Sequence, residues 1–143
     1  MKTYHIIKAP NEILRTKAKP AIITKETSNI IEQMKTLMQR YYGCGLAAPQ
    51  IGLDQRIIVV SLNDRTIAMI NPIILEKSQV TRSDIEGCLS VPGIHKRIER
   101  PAGIIVAYTT MDNKKRRGIF LNQDARIIQH EIDHLEGITI QDK

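Results

Sequence analysis

Residues 129–135 read Gln129-His130-Glu131-Ile132-Asp133-His134-Leu135. Side chains four apart lie on one face of an α-helix, so His130 and His134 can share one metal ion, with Glu131 beside them as a base. On a helical wheel over residues 124–136, Ala125, Ile128, Ile132 and Leu135 fall in one arc. His130, Glu131 and His134 fall in a second arc, with Ile127 among them. Arg126, Gln129, Asp133 and Glu136 fill a third. The pattern predicts a helix with a core stripe, a partly buried ionisable stripe and a polar stripe facing solvent. Two His at this spacing also occur as surface or hydrogen-bonded core residues. A buried Glu between them, however, is costly unless something pairs with it.

A catalytic zinc-type site takes three protein ligands and one open position. Gly137 to Lys143 offer no third His or Glu. The third ligand then comes from Cys44, Cys88, His5, His95 or a distant carboxylate, and a thiolate is the strongest of these. Spacing does not choose between the cysteines, since both sit in glycine-flanked turns.

The 143 residues suffice for one domain with a real core, built from Ile, Leu, Val and Met because aromatic residues make up only 3%. The net charge of +6 favours acidic partners or surfaces, RNA among them, and equally describes a basic soluble protein. Two cysteines exclude a disulfide framework and fit a reducing compartment. No stretch has the apolar region of a signal peptide or the length to span a bilayer. These features give the expectation of a soluble, cytoplasmic protein.

Thr27 to Tyr42 is expected to be a helix, with Ile30, Met34, Leu37, Met38 and Tyr41 inward and Gly43 as its stop. Asn29 with Glu32 has capping-box spacing, with Thr27 or Ser28 as other caps. Residues 43–52 read Gly-Cys-Gly-Leu-Ala-Ala-Pro-Gln-Ile-Gly. Such a run admits the close approach of a backbone or ligand, or is a plain turn. Strands are expected over 56–62, 66–70, 73–75, 104–110, 118–121 and 138–140, with turns at Asn63-Asp64 and Asp112-Asn113. Ser78 to Asp84 is expected to be loop, and Asn122 to cap the metal helix. Lys114, Lys115, Arg116 and Arg117 are read as a solvated hairpin tip, with a nucleic-acid contact as the alternative.

Three segments together resemble the peptide deformylases. The family's Gly-x-Gly-x-Ala-Ala-x-Gln is matched by Gly43, Gly45, Ala47, Ala48 and Gln50. Its Glu-Gly-Cys-Leu-Ser is matched by Glu86 to Ser90, and its Gln-His-Glu-x-Asp-His-Leu by Gln129 to Leu135. The resemblance spans nearly the whole chain and implies a single α+β domain over residues 1–143, with antiparallel strands packed around a central metal-binding helix. It implies metal ligands Cys88, His130 and His134, with Fe²⁺ as the metal in the cell and Zn²⁺, Ni²⁺ or Co²⁺ able to replace it. It also implies removal of the formyl group from the N-terminal formyl-methionine of new bacterial proteins.

By the same resemblance Glu131 is the acid–base residue. Gln50 and the backbone N–H of Leu89 stabilise the oxyanion, and Gly43 and Gly45 border the substrate. Glu86 pairs with Arg100 to brace the cysteine loop. A thiolate ligand makes the metal a weaker Lewis acid than three His would, so the base matters more. The implied partners are N-formyl-methionyl peptides and nascent chains, with a ribosome contact made without the C-terminal docking helix common in the family. Cys44 departs from the family's usual aliphatic residue and is expected near the metal, where it invites oxidation or a disulfide with Cys88. A metallopeptidase would share the His-Glu-x-x-His and cut internal peptide bonds. A structural metal site in an RNA-binding module would close the fourth position and need no Glu131.

Overall fold

The computed structural model describes residues 2–63 and 65–143. Five strands form one antiparallel sheet in the order β1-β2-β3-β6-β7: β1 (Gly45–Ala47), β2 (Ile57–Leu62), β3 (Arg65–Lys77), β6 (Gly103–Thr109) and β7 (Lys115–Leu121). Strands β4 (Thr81–Cys88) and β5 (Val91–Pro101) form a separate two-stranded hairpin. Helix α1 (Thr27–Arg40) and helix α2 (Asn122–Leu135) complete the α+β domain.

The sheet explains the unbroken Ile57-Ile58-Val59-Val60 run. Successive strand side chains point to opposite faces, and here both faces are covered. Ile58, Val60 and Leu62 pack with Ala125, Ile128, Ile132 and Leu135 of α2. Ile57 and Val59 pack with Ile30, Ile31, Met34, Leu37 and Met38 of α1. Each such aliphatic side chain, fully buried, contributes about 1.5–3 kcal/mol. Helix α2 therefore lies with its apolar stripe on the sheet and its other stripes toward the hairpin and the cleft described below.

Several elements differ from the sequence expectation. The strands expected at 66–70 and 73–75 are one strand, β3, with a register shift between Ile70 and Ile73. Asn71 takes a left-handed φ of 52° there, and its side chain bonds to the backbone of Ala21, so the Asn-Pro pair bends the strand without ending it. The expected loop at 78–84 contains the start of β4, whose early residues are exposed on both faces and so carry no apolar alternation. The basic run is not a tip, since Lys115 to Arg117 lie within β7. The expected last strand is instead a short 3₁₀ helix, Ile140–Asp142, whose start is capped by Thr139 Oγ1.

Helix α1 starts at Thr27 as expected and ends at Arg40; its cap position is Glu26, not Asn29, Thr27 or Ser28, and the left-handed residue after it is Tyr42 (φ 57°), not Gly43. Asn122 does not cap α2. It is the first residue of that helix, with a left-handed φ of 55°, and Leu121 holds the cap position. Of the expected Asn63-Asp64 turn, Asn63 has the left-handed backbone (φ 51°) and Asp64 lies outside the described residues. No helix among the described residues is long and apolar enough to cross a membrane.

Candidate active site

His130 and His134 project from α2, and Cys88 ends β4 at the tip of the hairpin. The Sγ of Cys88 lies 3.3 Å from Nε2 of His134. One donor atom from each of Cys88, His130 and His134 lies within 4.8 Å of the others, and this is the single such group found among the described residues. Nδ1 of His130 lies 2.8 Å from Oε1 of Glu86. A carboxylate there takes the ring's Nδ1–H and leaves the Nε2 lone pair free for a metal. Cys44 lies apart from this cluster, exposed on the wall of the same cleft.

The donor set fits a divalent transition metal, and the surrounding charges support that reading. His134 is almost fully buried. Burial and the nearby positive charge of His130 and Arg100 push it down to about 3, which keeps it neutral and able to ligate. For His130, burial also opposes the charged form. The Glu131 carboxylate, with the hydrogen bonds to Cys88 and Glu86, outweighs that and raises it to about 10. The carboxyl groups of Glu86 and Glu131 thus flank one imidazole.

Glu131 is 4% exposed, and burial pushes its carboxyl up to about 7. Its Oε1 is buried and has no hydrogen-bond partner among the described residues. Such an orphan typically costs about 1–3 kcal/mol. Oε2 lies 4.0 Å from Nε2 of His130. A carboxyl poised near neutral pH in a cleft can take and return a proton.

Gln50 sits in a 3₁₀ turn, Ala48–Ile51, that ends at left-handed Gly52. Its amide is fixed at both ends. The Ala47 N–H donates to Oε1 at 2.9 Å, and Nε2 donates to Ser90 Oγ at 3.1 Å and points toward Cys88 Sγ at 3.7 Å. Gln50, Leu89, Glu131, His130, Cys88, Gly43 and Gly45 all line one cleft of about 400 Å³. Gly43 and Gly45 allow its narrow walls. A Cβ at 43 would stand 3.0 Å from Leu89 Cδ1, and one at 45 would stand 2.6 Å from Glu131 Oε2.

Behind the cleft lies a buried ionic network. Glu86 pairs with Arg100 through two bonds, Nε to Oε2 at 2.5 Å and Nη2 to Oε1 at 2.9 Å. Arg100 also donates to Asp133 Oδ2 at 2.8 Å. Burial opposes the Glu86 charge, yet the His130 and Arg100 hydrogen bonds hold its carboxyl well below the usual range. Arg126 donates to Glu86 Oε2 at 2.6 Å as well.

This corrects the wheel. Arg126 and Gln129 were placed on the solvent stripe, yet they are 5% and 4% exposed, because the β4–β5 hairpin covers that side of α2. Gln129 Nε2 donates to the Pro101 carbonyl at 3.0 Å. Sequence reasoning gave no role to Arg126 or Ser90. Ser90 carried a signal, since it closes the Glu-Gly-Cys-Leu-Ser segment, whereas nothing in the sequence distinguished Arg126 from a surface arginine.

Comparison with known proteins agrees. A family model described as Polypeptide deformylase matches residues 3–143. A peptide deformylase of Syntrophomonas wolfei is 40% identical over 100% of this chain and 94% of its own. One of Thermotoga petrophila is 41% identical over 98% and 86%. The crystal structure of peptide deformylase from Thermotoga maritima superposes with a TM-score of 0.97 at 38% identity, covering 100% of this chain and 98% of that one. A class I type b peptide deformylase from Acinetobacter baumannii, solved with Met-Ala-Ser bound, superposes at 0.92 with 31% identity, covering 98% and 97%. The chain belongs to the polypeptide deformylase family and is a metallohydrolase that removes the N-formyl group from nascent peptides.

Proposed function

We propose that this activity is carried by Cys88, His130 and His134 as metal ligands and by Glu131, Gln50 and Leu89 as the groups that act on substrate. The observation that carries the reading is the orphaned, buried Glu131 oxygen beside three converging donor atoms. The metal, when bound, supplies Lewis-acid activation for the hydrolysis. Glu131 takes a proton from the attacking water and returns it to the amine that leaves. The Gln50 amide, already fixed by Ala47 and Ser90, donates from Nε2 to the developing oxyanion, and the Leu89 N–H is the second donor. Loss of one such donor typically costs about 3 kcal/mol of transition-state stabilisation.

The substrate is the formylated amino terminus of a new chain. Strand β1 is a sheet edge paired only to β2 and borders the cleft through Gly45, so its backbone can pair with an extended peptide. The Met-Ala-Ser bound to the Acinetobacter baumannii relative fits such a peptide. Fe²⁺ is the metal we assign in the cell, with Zn²⁺, Ni²⁺ or Co²⁺ as replacements. The bacterial cytoplasm is the compartment, in keeping with two free cysteines. A contact with the ribosome would bring the site to emerging chains, and the exposed Lys115, Arg116 and Arg117 of β7 suit an acidic surface there.

The test is formate release from formyl-Met-Ala-Ser by anaerobically purified protein loaded with Fe²⁺ or Ni²⁺. Turnover that disappears with a chelator and returns with metal is expected. Cleavage of internal peptide bonds without formate release would replace the reading with a metallopeptidase.

A further inference from the structure

The metal ligands come from two parts that share no strand ladder. Cys88 is on the β4–β5 hairpin, which forms its own sheet, and the two His are on α2. Among the described residues, backbone bonds join them only at the hairpin's root, where Ser78 N–H donates to the Gly103 carbonyl, Ala102 N–H to the Val80 carbonyl and Asn122 N–H of α2 to the Ala102 carbonyl; nearer Cys88, side-chain packing and polar ties hold the hairpin on the helix.

Arg126 makes a broad set of such ties. Nη1 donates to Glu86 Oε2 at 2.6 Å and to the Ile98 carbonyl at 2.9 Å, and Nη2 donates to the Arg82 carbonyl at 2.7 Å. One guanidinium on α2 thus reaches β4 twice and β5 once. Its contact with Glu86 is on Oε2, while Oε1 of the same carboxylate lies 2.8 Å from His130 Nδ1. We propose that Arg126 is a positioning residue for the metal centre, fastening the cysteine-bearing hairpin to the histidine-bearing helix and setting the Glu86 carboxylate that orients His130.

The geometry calls for arginine. The planar fork offers donors in fixed directions, and three acceptors in different places use them. A lysine ammonium at 126 keeps the charge but cannot reach all three. Arg100 shares part of the role from the other side: it lies on β5, holds Glu86 through two bonds and reaches α2 at Asp133. Its third nitrogen, Nη1, donates to Asp133 near the far end of α2, whereas the carbonyls of Arg82 and Ile98 are bonded by Arg126 from the helix side. Partners outside the ligand shell that orient a metal-bound His typically affect metal affinity by ~10–100-fold.

The inference rests on the metal assignment above, so the probe is the metal itself. Arg126→Lys and Arg126→Gln would be loaded with Co²⁺ and compared with the unchanged chain. The readouts are the Co²⁺ absorption spectrum, the rate of Co²⁺ loss to a chelator, and the thermal midpoints of the metal-free and loaded forms. Both variants are expected to release Co²⁺ about 10–100-fold faster, with an altered spectrum and a smaller rise in midpoint on metal binding. Arg126→Lys, which keeps charge and stem, is the deciding variant. Release within twofold of the unchanged chain, with both midpoints lowered equally, would reduce Arg126 to packing and overturn the proposal. Failure of the unchanged chain to take up Co²⁺ would overturn the metal assignment itself, and this inference with it.

Discussion

Gly45 and Glu131 face each other with no room between them: a Cβ on Gly45 would stand 2.6 Å from Oε2 of Glu131 and 2.8 Å from its Cγ. Strand β1 therefore sets the place of the Glu131 carboxyl as much as α2 does. Gly45→Ala is expected to displace Glu131 while leaving the ligands alone. A misplacement of about 1 Å can cost ~10²-fold in rate. Formate release should fall by about that factor in kcat with metal content unchanged. Gly43→Ala should be milder, because its Cβ would press on the flexible end of Leu89 at 3.0 Å and meet the Gly45 carbonyl oxygen at an ordinary 3.6 Å. Equal activity in Gly45→Ala and the unchanged enzyme would refute the contact's importance.

Glu131→Gln separates chemistry from stability. The amide keeps size and hydrogen bonding but cannot act as a base. General acid–base catalysis is typically worth ~10²–10⁴-fold, and in the proposed mechanism one residue serves both proton transfers, so the loss should lie near the upper end and mainly in kcat. The buried carboxyl has an orphan oxygen, so a neutral replacement should not lower the thermal midpoint. A folded, metal-loaded Glu131→Gln with near-parental turnover would remove Glu131 from the mechanism.

The two cysteines should behave oppositely. Cys88→Ala removes a donor atom from the converging group, and metal content after dialysis should fall at least about tenfold. Cys44 is exposed on the cleft wall and stands apart from that group, so Cys44→Ala should keep its metal. Metal analysis of both variants is the check, and a reversed result would reassign the ligand.

The proposed thiolate ligand also predicts behaviour in air. An Fe²⁺-loaded preparation should lose activity in oxygen through oxidation of metal or sulfur, and a Ni²⁺-loaded one should last longer. Activity half-lives of the two forms, measured side by side in air, decide the matter; identical values would count against a redox-sensitive centre.

Helical spacing alone gave α2, its core stripe of Ala125, Ile128, Ile132 and Leu135, and the shared face of His130 and His134. All four core residues are buried. It could not give the third stripe. A wheel knows one helix, and whether Arg126 meets water depends on the hairpin that comes to lie over it. The hairpin itself was half invisible, since β4 begins among residues exposed on both faces and shows no period of two. Asn71-Pro72 read as an interruption because proline breaks ladders, yet a left-handed Asn71 turns the break into a bulge and β3 runs on. The third ligand was open on spacing alone; only the resemblance singled out Cys88.

The hairpin's separation from the main sheet gives bound metal a mechanical role. An ion held at once by Cys88 and by two residues of α2 would cross-link the hairpin's far end to the helix. Stripping it should leave the five-stranded sheet intact while the β4–β5 amides exchange with solvent faster, as a unit of lower local stability. A chelator would then act on this protein twice, first by disarming the chemistry and then by loosening the cleft wall that carries Leu89 and Ser90, so that the pocket an inhibitor must recognise is partly created by the ion at its base.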